Sequence, residues 1–516
     1  MSVTVTRPLP ERRVLRRDSA ALLALLLGAL ASVSSMLGSW IPSLWGDEVT
    51  SVMSAQRPVG SLLLMLGHVD AVHGTYYLGL HAWGAAFGFS PFIVRLPSAL
   101  AVGVATAAVV LLTDRLRSRR VAVLAGLVCV ILPRITYMGE EARSYALSAA
   151  VVAWLTLILI VALSRDHTSN LLWVLYGVML AVGIFLFLYI ALFAVVHLIV
   201  VIASRVSRRT VLGWVIATVG GLAAASPLVV VAIMERAQIS YLGVTQQLSP
   251  STLYSGLWFG GWMFAAVAWL MIGVAVWGEA RRRVQISQAV GGGVLFLSGR
   301  RIPTLVFLSL AWLLVPTLLL IAVHGFVPDF TARYVSFCAP AAAALIACGI
   351  DEFLRVRRWL GVAAGLLVVL LAAPVYVAQR TPYAKNQSDW SQISAAIGHN
   401  ARPGDAVVFD ESTRPSRRPR LAMHGYPVGF HGLRDVTVRT PFQKALTWHD
   451  IAYTVRDAAA HGRFAGVDRV WLIEYAASPH QADTYGQRDL SQLGFEQTAA
   501  PIHTHRGLIA LYERTP

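Results

Sequence analysis

Long apolar blocks recur along the chain and constrain its fold more than any other feature. A helix of about 20 apolar residues is what crosses the roughly 30 Å hydrocarbon layer of a bilayer. Hydrophobic residues make up 56% of the 516 positions and charged residues only 14%, against about 25% charged in soluble domains. The sequence therefore predicts an all-α polytopic membrane protein. Its eleven predicted spans lie near 20–40, 93–113, 121–138, 144–163, 170–186, 187–204, 212–233, 262–279, 302–323, 334–350 and 358–377.

The distribution of arginines predicts how these spans are oriented. Basic residues concentrate in the segment before the first span and in every second connection after it, whereas the other connections carry mostly single arginines. Loops rich in Lys and Arg stay in the cytoplasm. The N-terminus is thus predicted inside and the C-terminus outside. The apolar run 170–204 is divided in two because one helix of that length would extend about 50 Å.

Composition along the chain predicts three regions. Residues 1–19 form a basic cytoplasmic N-terminus, residues 20–379 a transmembrane domain, and residues 380–516 a small extracytoplasmic α/β domain. The first outer loop, 41–92, is long enough to hold two helices that mix apolar and polar residues and lie along the membrane surface. They are predicted at 49–66 and 75–88. The C-terminal region carries β-like runs at 406–409 and 469–473 between helical stretches at 389–399 and 450–462.

Charge and cysteine usage exclude several classes of function. The formal net charge is +16, but the basic residues lie between apolar blocks and form no continuous face, so nucleic acid is not predicted as a partner. The three cysteines have no metal-ligand spacing, and the outer-loop residues His68, His73 and His81 fit no common zinc pattern. We predict no metal site and no required cofactor; a divalent cation is compatible with the sequence but not indicated. The excess of 41 Arg over 2 Lys hints at a GC-rich, actinobacterial genome.

Asp47 and Glu48 are the first candidate functional residues. They follow the first predicted span directly, in the segment WGDEVTSV. An ionised carboxylate at a membrane boundary is unfavourable in free energy unless it is solvated, so one that is found there commonly has a functional role. The alternative is that both acids simply lie in a wet loop.

Three further motifs fall on the same predicted side of the membrane. The first is a Tyr-Tyr, Trp, Phe-Gly, Arg-Leu-Pro-Ser series from Tyr76 to Ser98. The second is Glu-Ala-Arg-Ser-Tyr at 141–145, and the third is Arg333-Tyr334 with Pro340 in the following span. Acids, arginines and tyrosines are thus predicted to converge at one face.

In the order and spacing of these motifs the chain resembles the GT-C superfamily of polyprenyl-phosphate-sugar glycosyltransferases. The resemblance is to bacterial relatives of the protein O-mannosyltransferases and of the lipid A aminoarabinose transferase, and it covers about residues 20 to 380. His73-Gly74 departs from the family pattern, in which many relatives carry prolines. The C-terminal region matches no family pattern.

The resemblance implies roles for the acidic and basic residues. Asp47 resembles the family's base, which accepts the hydroxyl proton of the acceptor during a single inverting displacement. Glu48 would orient Asp47 or the acceptor, and Glu141 would join the catalytic group; the alternative for Glu141 is an ion pair with Arg143. Arg143 and Arg333 are candidates to bind the donor phosphate through paired guanidinium hydrogen bonds, and the alternative is that they are snorkelling interfacial arginines.

Aromatic residues supply the remaining candidates. Tyr145 and Tyr334 adjoin the two arginines and are predicted at the donor phosphate. Acceptor or sugar contacts are predicted for His73, Tyr76, Tyr241 and Trp258, with an aromatic belt at the interface as the alternative. In the C-terminal domain, the possible sugar contacts are Trp390, His424, Trp448 and Tyr485, although core packing explains them as well.

The predicted function is that of an inverting membrane glycosyltransferase in the bacterial plasma membrane. It would transfer mannose or a pentose such as arabinose from a polyprenyl phosphate to a glycolipid, polysaccharide or protein hydroxyl on the outer face, with membrane lipids around it. Two alternatives remain. One is a transporter or flippase of lipid-linked sugars, which predicts internal repeats and broken central helices. The other is a non-catalytic envelope-assembly protein that works through its C-terminal domain.

Overall fold

Helices dominate the fold and divide between two structural units. A computed structural model of the chain describes residues 10–165, 168–235, 248–290, 302–326, 330–476 and 485–515. The first unit comprises Met1–Leu37 and Arg95–Val377, and the second comprises Gly38–Val94 and Ala378–Pro516. The segment that follows the first span therefore belongs to the same unit as the C-terminal region.

Fifteen described α-helices precede the C-terminal region. They are α1 (Pro10–Met36), α2 (Gly46–Ala55), α3 (Val59–Leu66), α4 (Gly74–Phe87), α5 (Pro91–Leu116), α6 (Arg119–Ile131), α7 (Pro133–Gly139), α8 (Tyr145–Leu163), α9 (Asn170–Leu186), α10 (Phe193–Ile202), α11 (Arg208–Met234), α12 (Trp262–Val290), α13 (Leu305–His324), α14 (Ala339–Val356) and α15 (Arg358–Ala378).

Among the described residues, eight helices are long and apolar enough to cross a bilayer. The helices α6 and α7 form a ninth candidate, bent by 58° where Leu132 is extended and Pro133 begins the next helix. The helix α9 and the following stretch Leu188–Ile202 are apolar but shorter. The 17 residues of α9 span only about 26 Å at 1.5 Å per residue, less than the hydrocarbon thickness. The chain is a multi-pass membrane protein, but the predicted count of eleven spans is not confirmed.

Ion pairs tie together the ends of several helices in the first unit. Arg117, just after α5, contacts Glu279 of α12 at 3.5 Å and Glu352 of α14 at 2.7 Å. Asp351, which is fully buried, receives Arg120 of α6 at 2.7 Å and Arg355 at 2.8 Å. These residues come from segments predicted to face the cytoplasm. Their pairing compensates the buried carboxylates and fixes α12 and α14 against the preceding helices.

The C-terminal region forms a small mixed sheet with short helices. Its helices are α16 (Trp390–Asn400), α17 (Leu421–Gly425), α18 (Val455–Ala460) and α19 (Gln487–Gln492). Its strands are β1 (Ala406–Phe409), β2 (Arg434–Asp435), β3 (Val438–Thr440), β4 (Ile451–Ala452), β5 (Arg469–Tyr475), β6 (Phe495–Gln497), β7 (Ile502–His503) and β8 (Gly507–Arg514).

The main sheet has the strand order β2-β1-β5-β8-β6, with β7 also paired to β8, while β3 and β4 form a separate antiparallel pair. The strand β1 runs parallel to β2 and β5, and β8 runs antiparallel to β5. All four residues of β1 are buried, as expected for a strand covered on both faces. The predicted fold class, a helical membrane protein with a small C-terminal α/β region, is confirmed.

Candidate functional site

The two acids Asp47 and Glu48 lie in the first turn of α2. Trp45 precedes the helix in an extended conformation, and its backbone N–H donates to Oε2 of Glu48 at 3.4 Å. Glu48 is fully buried, whereas Asp47 is half-buried. A carboxylate in this position is also stabilised by the helix dipole. Glu48 therefore holds the start of the helix, and Asp47 is the acid with access to solvent.

The residues just before α2 are fixed by hydrogen bonds to the C-terminal region. The Tyr426 hydroxyl accepts the backbone N–H of Leu44 at 2.7 Å. The Ser388 hydroxyl donates to the Leu44 carbonyl at 2.6 Å, and the backbone N–H of Ser391 donates to the Ser43 hydroxyl at 3.2 Å. Residues more than 340 positions apart in sequence thus set where the acidic turn begins.

One face of α2 packs on the C-terminal region through Gly46, Val49 and Met53, which recur at helical spacing. A Cβ atom at Gly46 would lie 2.4 Å from the carbonyl oxygen of Ser416, so only glycine allows this close approach. Val49 lies against Gly425 of α17. The helix α2, which carries the two acids, therefore packs directly on the C-terminal domain.

His73 and Tyr76 lie at the start of α4 in this same unit. Tyr76 is buried and His73 half-buried, and the ring of Tyr77 is 5.9 Å from that of His73 and 6.4 Å from that of Tyr76. The Tyr77 hydroxyl donates to Asp70 at 3.1 Å. Tyr76 is thus part of a packed aromatic group, and of the two predicted contact residues His73 is the more accessible.

In the first unit, the Glu-Ala-Arg-Ser-Tyr motif forms the tight turn between α7 and α8. Glu141 and Arg143 are both buried, and the backbone N–H of Arg143 donates to the Glu141 carbonyl at 2.8 Å. The hydroxyl of Ser98, from the Arg-Leu-Pro-Ser series, donates to the carbonyls of Glu141 at 2.6 Å and Arg143 at 3.3 Å. Two motifs predicted to converge are therefore in direct contact.

Two charged residues here were missed by the sequence analysis. Glu140, beside Glu141, is fully buried. Arg134 in α7 donates to the carbonyl of Leu257 at 2.6 Å and to that of Gly256. The charged groups of Glu141 and Arg333 both lie close enough to the Arg134 guanidinium to interact with it electrostatically. An arginine inside an apolar block was the signal available in the sequence, since such residues commonly mark functional sites.

Aromatic rings connect Tyr145 to Tyr334. The ring of Phe187 lies 5.6 Å from that of Tyr145 and 6.0 Å from that of Tyr334, and Tyr189 lies 5.0 Å from Tyr334. Phe187 and Tyr189 were also missed. They occupy the break after α9, where Phe187 is extended. Tyr145 is buried, whereas Arg333 and Tyr334 are half-buried.

The other predicted aromatic contacts have different surroundings. Trp258 is buried in the core of the first unit, and its indole N–H donates to the Val335 carbonyl at 3.3 Å. Tyr241 lies outside the described residues. In the C-terminal region, Trp390 is buried and Trp448 and Tyr485 are half-buried. Within the described parts of the chain, no group of three or more His, Cys, Asp or Glu side chains is arranged to hold a metal ion.

Comparison with known proteins gives a family match for part of the chain. Residues 78–231 match the dolichyl-phosphate-mannose-protein mannosyltransferase family. This segment contains the Arg-Leu-Pro-Ser and Glu-Ala-Arg-Ser-Tyr motifs. A sequence comparison with curated proteins found no match.

Solved structures resemble nearly the whole chain. ArnT from Cupriavidus metallidurans in the apo state has a TM-score of 0.56 at 12% identity, covering 96% of this chain and 98% of that one. The same protein bound to undecaprenyl phosphate has a TM-score of 0.53 at 12% identity, over 94% of this chain and 97% of that one. The arabinofuranosyltransferase AftD from Mycobacteria has a TM-score of 0.51 at 15% identity, over 94% of this chain but only 39% of its own.

An oligosaccharyltransferase from Archaeoglobus fulgidus also has a TM-score of 0.51, at 12% identity over 88% of this chain and 68% of that one. All these neighbours are GT-C glycosyltransferases. The chain therefore has the GT-C fold, and the resemblance predicted from its motifs is confirmed.

Proposed function

We propose that this protein is an inverting membrane glycosyltransferase. It transfers a sugar, mannose or a pentose such as arabinose, from a polyprenyl phosphate to a hydroxyl group of a cell-envelope acceptor, with Asp47 as the general base. The reaction takes place at the outer face of a bacterial plasma membrane, with the N-terminus in the cytoplasm. The observation that carries the proposal is the placement of Asp47, a solvent-accessible carboxylate on a helix start that Glu48, Ser388 and Tyr426 hold in position.

A general base must be held within hydrogen-bond reach of the proton that it accepts. Glu48 is buried and accepts a backbone N–H, so it acts as a positioning residue and Asp47 as the catalytic one. The acceptor hydroxyl gives its proton to Asp47 as its oxygen attacks the anomeric carbon. The bond from that carbon to the phosphate oxygen breaks, and the polyprenyl phosphate leaves with the electron pair.

The departing phosphate needs cationic partners. We assign this role to Arg143 and Arg333, whose guanidinium groups can each donate two hydrogen bonds to phosphate oxygens. One support is that Arg143 lies in a buried polar turn. A second is that Arg333 lies close enough to Arg134 for the two guanidinium groups to interact electrostatically. Glu141, Tyr145 and Tyr334 complete this donor side. ArnT has been crystallised with undecaprenyl phosphate, a ligand of the chemical class proposed here.

The proposal is tested by replacing Asp47 with Asn in the full-length protein, reconstituted with a polyprenyl-phosphate sugar and an envelope extract as acceptor. Loss of the base lowers the transfer rate roughly 100- to 10,000-fold. The matched control is Asp468→Asn, at an exposed acid of the C-terminal domain. Transfer at the wild-type rate by Asp47→Asn contradicts the assignment. Movement of the intact donor across a liposome membrane without its cleavage favours a transporter instead.

A further inference from the structure

A group of arginines lies where α14 ends and α15 begins. The helical stretches Ala332–Val356 and Arg358–Ala378 are both long and apolar enough to cross a bilayer, so the connection between them lies at a membrane surface. The distribution of arginines predicts that this is the cytoplasmic surface. Trp359, in the first turn of α15, is 66% exposed, and tryptophans are enriched at the level of the lipid headgroups. Charged groups in this connection are therefore placed among headgroups and not in hydrocarbon.

A single buried carboxylate holds two of these arginines side by side. Asp351 of α14 is fully buried. Its Oδ1 accepts a hydrogen bond from Nε of Arg120 at 2.7 Å, and its Oδ2 accepts one from Nε of Arg355 at 2.8 Å. Because both oxygens belong to one carboxylate, the two guanidinium groups, from α6 and α14, are fixed close to each other. Their side chains are nevertheless 53% and 45% exposed.

This pair of guanidinium groups has donors and charge to offer a ligand. Within the described residues, Asp351 is the only hydrogen-bond partner of either side chain, and each bond uses Nε alone. The Nη atoms of Arg120 and Arg355 therefore keep all their N–H donors. The two positive charges also exceed the single negative charge of Asp351. Such a pair fits an anion with several acceptor oxygens, and a phosphate group has this form.

The neighbouring residues add positive charge to the pair. Glu352, the other acid of this turn, is already paired with Arg117 at 2.7 Å and with Arg282 at 2.5 Å. Arg357 and Arg358 are both exposed. In the part of the chain that the structure describes, neither of their side chains forms an ion pair. The connection between α14 and α15 therefore has a surplus of positive charge at its surface.

An apolar stripe on α15 favours a lipid over a soluble phosphate as the ligand. Trp359, Val362, Leu366 and Leu370 recur at helical spacing and thus share one face of the helix. All four are more than half exposed. The stripe starts beside the arginines and leads away from them along the helix. A phospholipid presents a phosphate group and an acyl chain in the same order.

We propose that this arginine group binds the phosphate of an anionic phospholipid in the adjoining leaflet. Arg120 and Arg355, held ready by Asp351, donate to the phosphate oxygens, and Arg357 and Arg358 add electrostatic attraction. The acyl chain lies along the exposed face of α15. A lipid bound in this way joins α6, α14 and α15 at their ends. The site takes no part in sugar transfer, so it does not depend on the proposed function.

The test measures lipid binding by the full-length protein in a non-ionic detergent. Native mass spectrometry gives the dissociation constant for phosphatidylglycerol, which carries one net negative charge, and for phosphatidylcholine, which carries none. We expect the wild type to bind phosphatidylglycerol on the order of tenfold more tightly. Arg120→Gln removes one guanidinium group but leaves Asp351 paired with Arg355, and it should weaken phosphatidylglycerol binding about tenfold. Arg357→Gln combined with Arg358→Gln should weaken it by a similar factor, roughly tenfold or more.

The double variant keeps the test decisive if Arg120→Gln does not fold, because Arg357 and Arg358 are exposed. The matched control is Arg208→Gln combined with Arg209→Gln. Both residues are exposed at the start of α11, in another connection predicted to face the cytoplasm, and the net charge changes by the same amount. This control should bind phosphatidylglycerol as the wild type does.

Three results would overturn the proposal. The first is equal binding of the two lipids by the wild type. The second is equal weakening in the double variant and in the α11 control, because total charge and not this site would then determine binding. The third is displacement of the bound lipid by an excess of inorganic phosphate, which would identify a soluble anion as the ligand. Elution in size-exclusion chromatography and Tm, measured for each variant, verify that the variants being compared are folded.

Discussion

Replacing Gly46 with Ala should reduce catalysis while leaving the protein folded. The added Cβ would lie 2.4 Å from the carbonyl oxygen of Ser416 and 2.9 Å from its Cβ, whereas ordinary contacts begin at 3.4 Å. The first turn of α2 must therefore move away by about 1 Å, and Asp47, the next residue, moves with it. A misplacement of about 1 Å costs on the order of 100-fold in rate. We expect kcat to fall by this factor.

The assay is sugar transfer by purified, reconstituted protein, with size-exclusion elution and Tm measured for each variant. Overpacking costs about 1–3 kcal/mol of stability, so Gly46→Ala should have a lower Tm but elute as the wild type does. Gly60→Ala is the matched control, because nothing lies within 4 Å of a Cβ at that position in α3. A Gly46→Ala variant with wild-type kcat would refute the idea that the packing of α2 on the C-terminal domain positions Asp47.

Two further predictions concern the donor side and His449 of the C-terminal domain. Ser98→Ala removes the hydrogen bond to the Glu141 carbonyl and should lower affinity for polyprenyl phosphate about fivefold, since one such bond contributes about 1 kcal/mol. Product inhibition measures it, and Ser226→Ala, at an exposed serine of α11, should have no effect. Burial lowers the pKa of His449 in the folded state. Below about pH 6.5 the unfolded chain therefore binds more protons at this residue than the folded chain does, and the free energy of unfolding falls as the pH falls. Unfolding at pH 7.5 and 5.5 checks this, and an equal loss in His449→Asn would contradict it.

Local pattern was sufficient to predict much of the fold. The division of the run 170–204 coincides with the end of α9 at Leu186, because helix length against bilayer thickness is a strong constraint. The β-like run 406–409 is strand β1. The predicted helix 49–66 is instead two helices, α2 and α3, separated by Gln56, Arg57 and Pro58. Proline has no N–H and disfavours helix in the residue before it, which explains the break.

Long-range contacts could not be predicted in the same way. The order of strands in the sheet, the packing of α2 on α17 and the ring of Phe187 between Tyr145 and Tyr334 all join residues far apart in sequence. No periodicity encodes such pairings. Glu140 and Arg134 were missed for a different reason, since one adjoins a more conspicuous acid and the other lies inside an apolar block. The motifs predicted Asp47, Glu48, Glu141 and Arg143 as candidates, and their roles remain predictions.

The contact between the α2 region and the C-terminal domain has a consequence for the synthesis of the protein. Leu44 and its partner Tyr426 are 382 residues apart, and synthesis at about 5–20 residues per second separates their appearance by roughly 20 to 75 s. Throughout that interval the nascent chain already carries Asp47 but lacks Tyr426, which accepts the backbone N–H of Leu44 just before the acidic turn. A chain that ends before Ser388 therefore lacks the contacts that fix the turn before Asp47, and under the proposed function we expect such a chain to be inactive.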